Sequence, residues 1–288
     1  MIHEKITTKY KDKIIKATSP VIISASRRTD IPAFFLESFL KDLKSELFQV
    51  KNPYNRKIFF ISTLKTRAIV FWTRNPVPIL SKLSLLKDYK YYFLITVTDY
   101  KKENLEPNMP DVKERIKNFI KLSEVCGPLK CIWRFDPVLL TLKLSINELL
   151  DRISFIAQHL KGYTNELIFS FVDTKYKKIK NKNLEIYSPS QEERIVLADN
   201  ISKICKENNL TPITCATEED FQNFGIIKDG CISKRYLQRL NDEILNKWLI
   251  LNDHKKDPGQ RKSCLCLPSI DIGTYRTCNY NCKYCYAL

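Results

Sequence analysis

A repeating rhythm constrains this chain of 288 residues more than any other feature. Short apolar runs rich in β-branched and aromatic residues recur along it, separated by stretches whose apolar positions follow a helical period. Strands alternating with helices favour a parallel sheet joined by helical crossovers. The first pair is Val21–Ala25, ending in Ser26-Arg27-Arg28-Thr29-Asp30, and a helical pattern from Pro32 to about Leu47 with Phe35, Phe39, Leu43 and Leu47 on one face. Further strands are expected at Lys57–Ser62 (an added hairpin strand), Ala68–Trp72, Tyr91–Val97, Cys131–Phe135, Glu166–Val172, Thr211–Cys215 and Ser269–Gly273. Amphipathic helices are expected at Asp111–Val125 and Ile146–Leu160, and a third runs from a Ser190/Glu193 capping box to about Asn208. A Lys-rich loop spans 175–183. After Glu218 the pattern weakens to two short helical stretches and a polar linker over 252–262. About seven parallel-strand candidates suit an α/β fold built as a closed or partly open (β/α) barrel, with a doubly wound open sheet as the alternative. No internal repeat or domain boundary is visible, so residues 1–288 read as a single barrel-like domain, with 264–288 as a metal-cluster segment inside it.

A 44% hydrophobic content is ordinary for a full globular core. The net charge of +16 comes mainly from scattered lysines, which reads as a solvated surface or as attraction to a polyanion such as nucleic acid. Met1–Lys16 is polar and charged, unlike a secretory signal, and no apolar run approaches the length needed to span a bilayer. No membrane association and a reducing cytoplasm are therefore expected, where clustered cysteines are metal ligands more often than disulfides.

Ten cysteines are present, and three stand together at the end as Cys278-x3-Cys282-x2-Cys285, with Tyr284 before the last. A loop this short can turn its thiolates toward one point, and soft thiolates suit iron–sulfur clusters or zinc. Cys215, Cys231, Cys264 and Cys266 offer four further soft ligands, enough for a second iron–sulfur cluster or a closed zinc site. Cys126, Cys131 and Cys205 fall outside both groups, and Cys205 reads as a small buried hydrophobe. His3, His159 and His254 lie neither at strand ends nor beside cysteine pairs, and none of the six glycines builds a phosphate-binding pattern.

Barrels of this type place their active site at the C-terminal ends of the strands. Reading only those positions returns a polar set: Ser24, Ser26, Arg27, Arg28, Thr29 and Asp30; Thr73, Arg74 and Asn75; Thr96, Thr98 and Asp99; Arg134 and Asp136; Ser170 and Asp173; Cys215 and Glu218. Asp30 also suits a helix N-cap, and Arg134 with Asp136 suits an ion pair. From this set Arg27, Arg28, Asp30, Arg74, Arg134, Asp136 and Asp173 are the candidate catalytic residues, the arginines being suited to a carboxylate or phosphate on a small anionic substrate.

The chain resembles an uncharacterised family, domain of unknown function 1848, over most of its length. The resemblance rests on Ile23-Ser-Ala-Ser-Arg-Arg-Thr-Asp-Ile-Pro32, Val70-Phe-Trp-Thr-Arg-Asn-Pro76, Ile132-Trp-Arg-Phe-Asp-Pro137, Ser170-Phe-Val-Asp173, Cys264-Leu-Cys266 and Ser269-Ile-Asp-Ile-Gly-Thr-Tyr275. The final cysteine motif resembles that of radical S-adenosylmethionine (SAM) enzymes. That resemblance implies a [4Fe–4S] cluster on Cys278, Cys282 and Cys285, with the amino and carboxylate groups of SAM on the open iron and Tyr284 flanking the adenine. It further implies an electron donor and reductive cleavage of SAM to a 5′-deoxyadenosyl radical. Two departures stand out. The motif follows the last strand, where most radical SAM enzymes carry it after the first; a circular permutation would keep the geometry. No Gly-Gly-Glu-like segment is present for the SAM amino group. An iron–sulfur redox protein that does not use SAM, and a zinc-bearing nucleic-acid-binding protein, are the alternatives.

Overall fold

The computed structural model describes residues 3–53, 55–173, 185–252 and 255–287. The expected lysine-rich loop at 175–183 lies outside the described residues, as does His254. In chain order the elements begin with β1 (Glu4–Tyr10), β2 (Lys13–Ser19), β3 (Ile22–Ala25), α1 (Ile31–Phe34), α2 (Leu36–Lys44), β4 (Leu47–Lys51) and β5 (Ile58–Ser62). Then come β6 (Ala68–Thr73), α3 (Val77–Leu80), β7 (Lys90–Thr96), α4 (Val112–Cys126), β8 (Cys131–Val138), β9 (Leu140–Thr141), α5 (Ile146–Leu160) and β10 (Glu166–Phe171). The described chain continues with β11 (Ile186–Tyr187), α6 (Gln191–Glu207), β12 (Thr211–Thr214), β13 (Ile227–Lys228), α7 (Lys234–Gln238), α8 (Glu243–Asn252) and β14 (Ile270–Asp271).

Eight of these strands form one all-parallel sheet in the order β13-β12-β10-β8-β7-β6-β3-β14. From β3 to β13 spatial order follows chain order, and only β14 departs from it. The last strand then returns to the first: β14 pairs with β3, Ile270 opposite Ile23 and Asp271 opposite Ser24. Among the described residues β13 and β14 are the two edges, with no strand pairing between them.

Side chains alternate across a strand, and here both faces are buried, which is why the strands read as continuous apolar runs. Ile23, Phe71, Phe93, Trp133 and Phe169 pack outward against Phe39 of α2, Phe119 of α4, Leu149 of α5 and Leu197 of α6. Their neighbours Ile22, Val70, Tyr92, Leu94, Ile132, Ile168 and Ile213 face the other way, against Tyr236 and Leu237 of α7 and Leu245 and Leu249 of α8. The helix starts follow their capping chemistry. Asp111 accepts from the Lys113 amide at 2.9 Å. Ser145 accepts from the Glu148 amide at 3.2 Å. Ser190 and Glu193 complete the expected capping box.

Two segments depart from expectation. The helix expected to reach Leu47 splits into α1 and α2 and ends at Lys44, because Glu46 takes a left-handed backbone (φ 55°) and turns the chain into β4. The polar N-terminal stretch forms the hairpin β1–β2, turned by Lys11 and Asp12, both at positive φ (45° and 62°). A Lys-Asp turn lacks the Asn-Gly signature that marks such hairpins in sequence. These strands join β5 and β4 in a separate sheet, order β1-β2-β5-β4, so Lys57–Ser62 does belong to a hairpin, but outside the parallel sheet. Among the described residues no helix is long and apolar enough to cross a membrane.

Candidate functional site

The alternation that buries the sheet's inner face also selects the site. Two residues beyond the last inward apolar position of each strand, the same parity reaches Arg74 after Trp72, Thr96 after Leu94, Arg134 after Ile132, Ser170 after Ile168 and Cys215 after Ile213. All five line one cavity of about 540 Å³ at the C-terminal ends of the strands, within the size range of small-molecule sites. Arg27, Arg28 and Asp30, which follow β3, line it too, as do Asp136 and Asp173. Both cysteine groups complete the wall: Cys278, Cys282, Tyr284 and Cys285 on one side, Cys215, Cys231, Cys264 and Cys266 on another. Ser24, Asn75, Thr98, Asp99 and Glu218, expected at the same strand ends, are not part of the lining.

The C-terminal loop reaches the cavity because Asp271 fastens β14 to β3. Its carboxylate accepts from Ser24 Oγ at 2.9 Å, Ser26 Oγ at 2.6 Å, the Arg27 amide at 2.7 Å and the Gly273 amide at 3.0 Å. Gly273 is required at the same junction: a Cβ there would lie 2.0 Å from Ser26 Oγ. Arg28 donates to the Gly273 carbonyl at 3.4 Å, and its guanidinium lies over the Tyr275 ring at 5.2 Å.

Cys282 is buried, while Cys278 and Cys285 are partly exposed toward the cavity. Burial raises the Cys282 thiol to about 11 although Arg74 opposes it, and burial likewise raises Cys278. The sulfurs of this loop are not gathered into the tight triplet that Cys215, Cys264 and Cys266 form within 4.8 Å of one another.

Behind the loop runs a buried charged network. Tyr284 accepts from Arg74 Nη2 at 2.7 Å and donates to Glu106. Arg74 Nη1 donates to Glu106 Oε1 at 2.7 Å and to Thr98 Oγ1 at 3.1 Å, and Arg115 closes on the other carboxylate oxygen at 3.5 Å. Burial alone would raise the Glu106 carboxyl, but Arg74 and Arg115 override it and hold it at about 2. Asp30 shows the opposite balance. Its Oδ1 caps α1 through the Ala33 amide at 3.0 Å and its Oδ2 accepts from the Arg74 amide at 2.7 Å, yet burial dominates and raises it to about 6.

The remaining arginines are largely engaged. Arg134 pairs with Asp136, which also accepts from Ser170. Arg27 lies 4.0 Å from Asp257. Both guanidiniums lie over the ring of Trp72, at 5.0 Å for Arg27 and 4.7 Å for Arg134. Each keeps one buried N–H without a hydrogen-bond partner among the described residues, Arg27 Nη2 and Arg134 Nε. Among the described residues the lining holds five arginines, five aspartates and no lysine.

Sequence reading missed Asp271, Trp72 and Glu106. Asp271 carried a signal, a carboxylate between two apolar residues of an expected strand. Glu106 carried none, since it lies between elements with no periodicity around it. Cys205 is fully buried on α6 as expected, and burial raises its thiol to about 12.

A family model described as a domain of unknown function (DUF1848) matches residues 22–287. The chain belongs to that family. No curated protein matches it.

Proposed function

Starting from membership of this family, we propose that the chain is an iron–sulfur enzyme of the radical SAM type, with Cys278, Cys282 and Cys285 as the ligands of a [4Fe–4S] cluster. The observation that carries this reading is the pairing of β14 with β3, which brings the three-cysteine loop to the same cavity as the strand-end arginines. In this reading the barrel is circularly permuted. The strand β14 stands where radical SAM barrels have their first strand, and β3 is its neighbour. When bound, the cluster would supply the electron that cleaves SAM reductively, delivered by an external donor.

The chain's own residues bind, orient and enclose. Arg27 Nη2 and Arg134 Nε, without partners among the described residues, are donors for a carboxylate or phosphate, on SAM or on a small anionic substrate. Arg74 and Glu106 fix the Tyr284 hydroxyl, leaving the ring as a wall of the cavity. Asp30, in the lining and raised to about 6 by burial, is the carboxyl group suited to hold a proton. The strand ends surround the reacting groups and limit water access. The lack of a Gly-Gly-Glu-like segment favours one second reading, an iron–sulfur redox protein that does not use SAM.

Metal analysis after anaerobic purification tests the ligand set. The native chain should carry about four irons and about four sulfides at this loop, and Cys282→Ala should lose most of them. Iron and sulfide contents unchanged in Cys282→Ala would exclude these ligands.

A further inference from the structure

We propose that Cys215, Cys231, Cys264 and Cys266 form a closed, mononuclear zinc site that fastens the open seam of the parallel sheet. The inference stands apart from the cluster reading, since it rests on a different set of sulfurs.

Geometry separates one ion from a cluster. A tetrahedral zinc with bonds of about 2.3 Å to sulfur places its ligands about 3.8 Å apart. Here Cys215, Cys264 and Cys266 lie within 4.8 Å of one another, and Cys231 Sγ is 3.2 Å from Cys215 Sγ. A cubane cluster inserts four irons and four sulfides between its thiolates and needs a wider cage. All four residues are buried, and four thiolates are enough to close a tetrahedral site. That is the pattern of a structural zinc site, not a catalytic one.

The surroundings are prepared for such a centre. Zinc with four thiolates is a dianion, and two buried cations face it: Arg27 interacts with Cys266, and Arg134 with Cys215 and Cys231. Backbone packing draws the ligand segments together. The Leu267 amide donates to the Ile232 carbonyl at 2.8 Å, and Ser263 Oγ donates to the Ala216 carbonyl at 3.1 Å. Gly230 leaves room for this approach, since a Cβ there would lie 2.7 Å from the Cys266 nitrogen.

Position supplies the role. Cys215 follows β12, Cys231 follows β13, and Cys264 with Cys266 precedes β14. Among the described residues the strands β13 and β14 are the two sheet edges, and no hydrogen-bonded ladder joins them. The four cysteines therefore tie the segments across that seam, and they hold the stretch from which β14 and the three-cysteine loop depart.

Zinc and iron contents of the full chain, purified anaerobically as native, Cys264→Ser and Cys282→Ala proteins, test this. Expected is about one zinc per chain in the native protein and in Cys282→Ala, falling at least fivefold in Cys264→Ser. Iron loss confined to Cys282→Ala supports the separate cluster, and its absence sinks that reading without touching this one. If Cys264→Ser does not fold, X-ray absorption at the zinc edge of the native protein decides, with four sulfurs at about 2.3 Å expected. Iron in place of zinc, nitrogen or oxygen ligands on the zinc, or zinc unchanged in Cys264→Ser would each overturn the proposal.

Discussion

Glu106 is fully buried between two arginines, and that balance sets what its loss would do. Its folded carboxyl is held at about 2, below the ordinary 4.5. A depressed carboxyl contributes stability that is present above the unfolded value and is lost as pH falls through the folded one. The contribution is on the order of 3 kcal/mol at neutral pH and fades between about pH 4.5 and pH 2. Glu106→Gln should cost about 3–5 kcal/mol at pH 7, because Arg74 and Arg115 lose their buried partner. It should also flatten the acid limb of stability against pH, as denaturant unfolding at several pH values would reveal. A variant as stable as the native chain would show that the network does not support the fold. At this scale the sequence announced the donors better than their partners. Arg27, Arg74 and Arg134 were legible because strands advertise their ends, whereas Glu106 lies in a connection where no pattern marks a buried carboxylate.

Among the elements, β14 matters most although only two residues carry it. Two residues of parallel ladder are a weak attachment, so the Asp271 carboxylate and its four donors do most of the joining. Asp271→Ala should destabilise the C-terminal segment by on the order of 3 kcal/mol. Limited proteolysis should then cut after residue 255 at least tenfold faster than in the native chain, and iron content should fall with it. Gly273→Ala should produce the same release by a steric route, since its Cβ has no space beside Ser26. Protease resistance unchanged in both variants would mean that the loop is held elsewhere. The long helices were legible almost to the residue because caps and apolar periods agree. Short elements were not: β13 spans two residues, and the β1–β2 turn uses residues that rarely signal one. Packing between distant segments, not local preference, creates these elements.

Across the molecule, a parallel sheet collects the end of every strand on one rim, and the last strand returns beside the first. Two cysteine groups thereby share one cavity with five arginines among the described residues. The alternation of strands and helices was enough to expect a parallel sheet and a polar rim. It could not locate the seam between β13 and β14, which depends on where a two-residue strand finds its partner. Nor did the net charge of +16 point to the site, where among the described residues arginines and aspartates are equal in number. The proposed chemistry is tested most directly by incubating the anaerobic, reduced protein with SAM and measuring 5′-deoxyadenosine. Formation of that product by the native chain, and its loss in Cys282→Ala, is the predicted result. An iron-loaded, reduced protein that leaves SAM intact would contradict the radical SAM reading and leave the redox protein in its place.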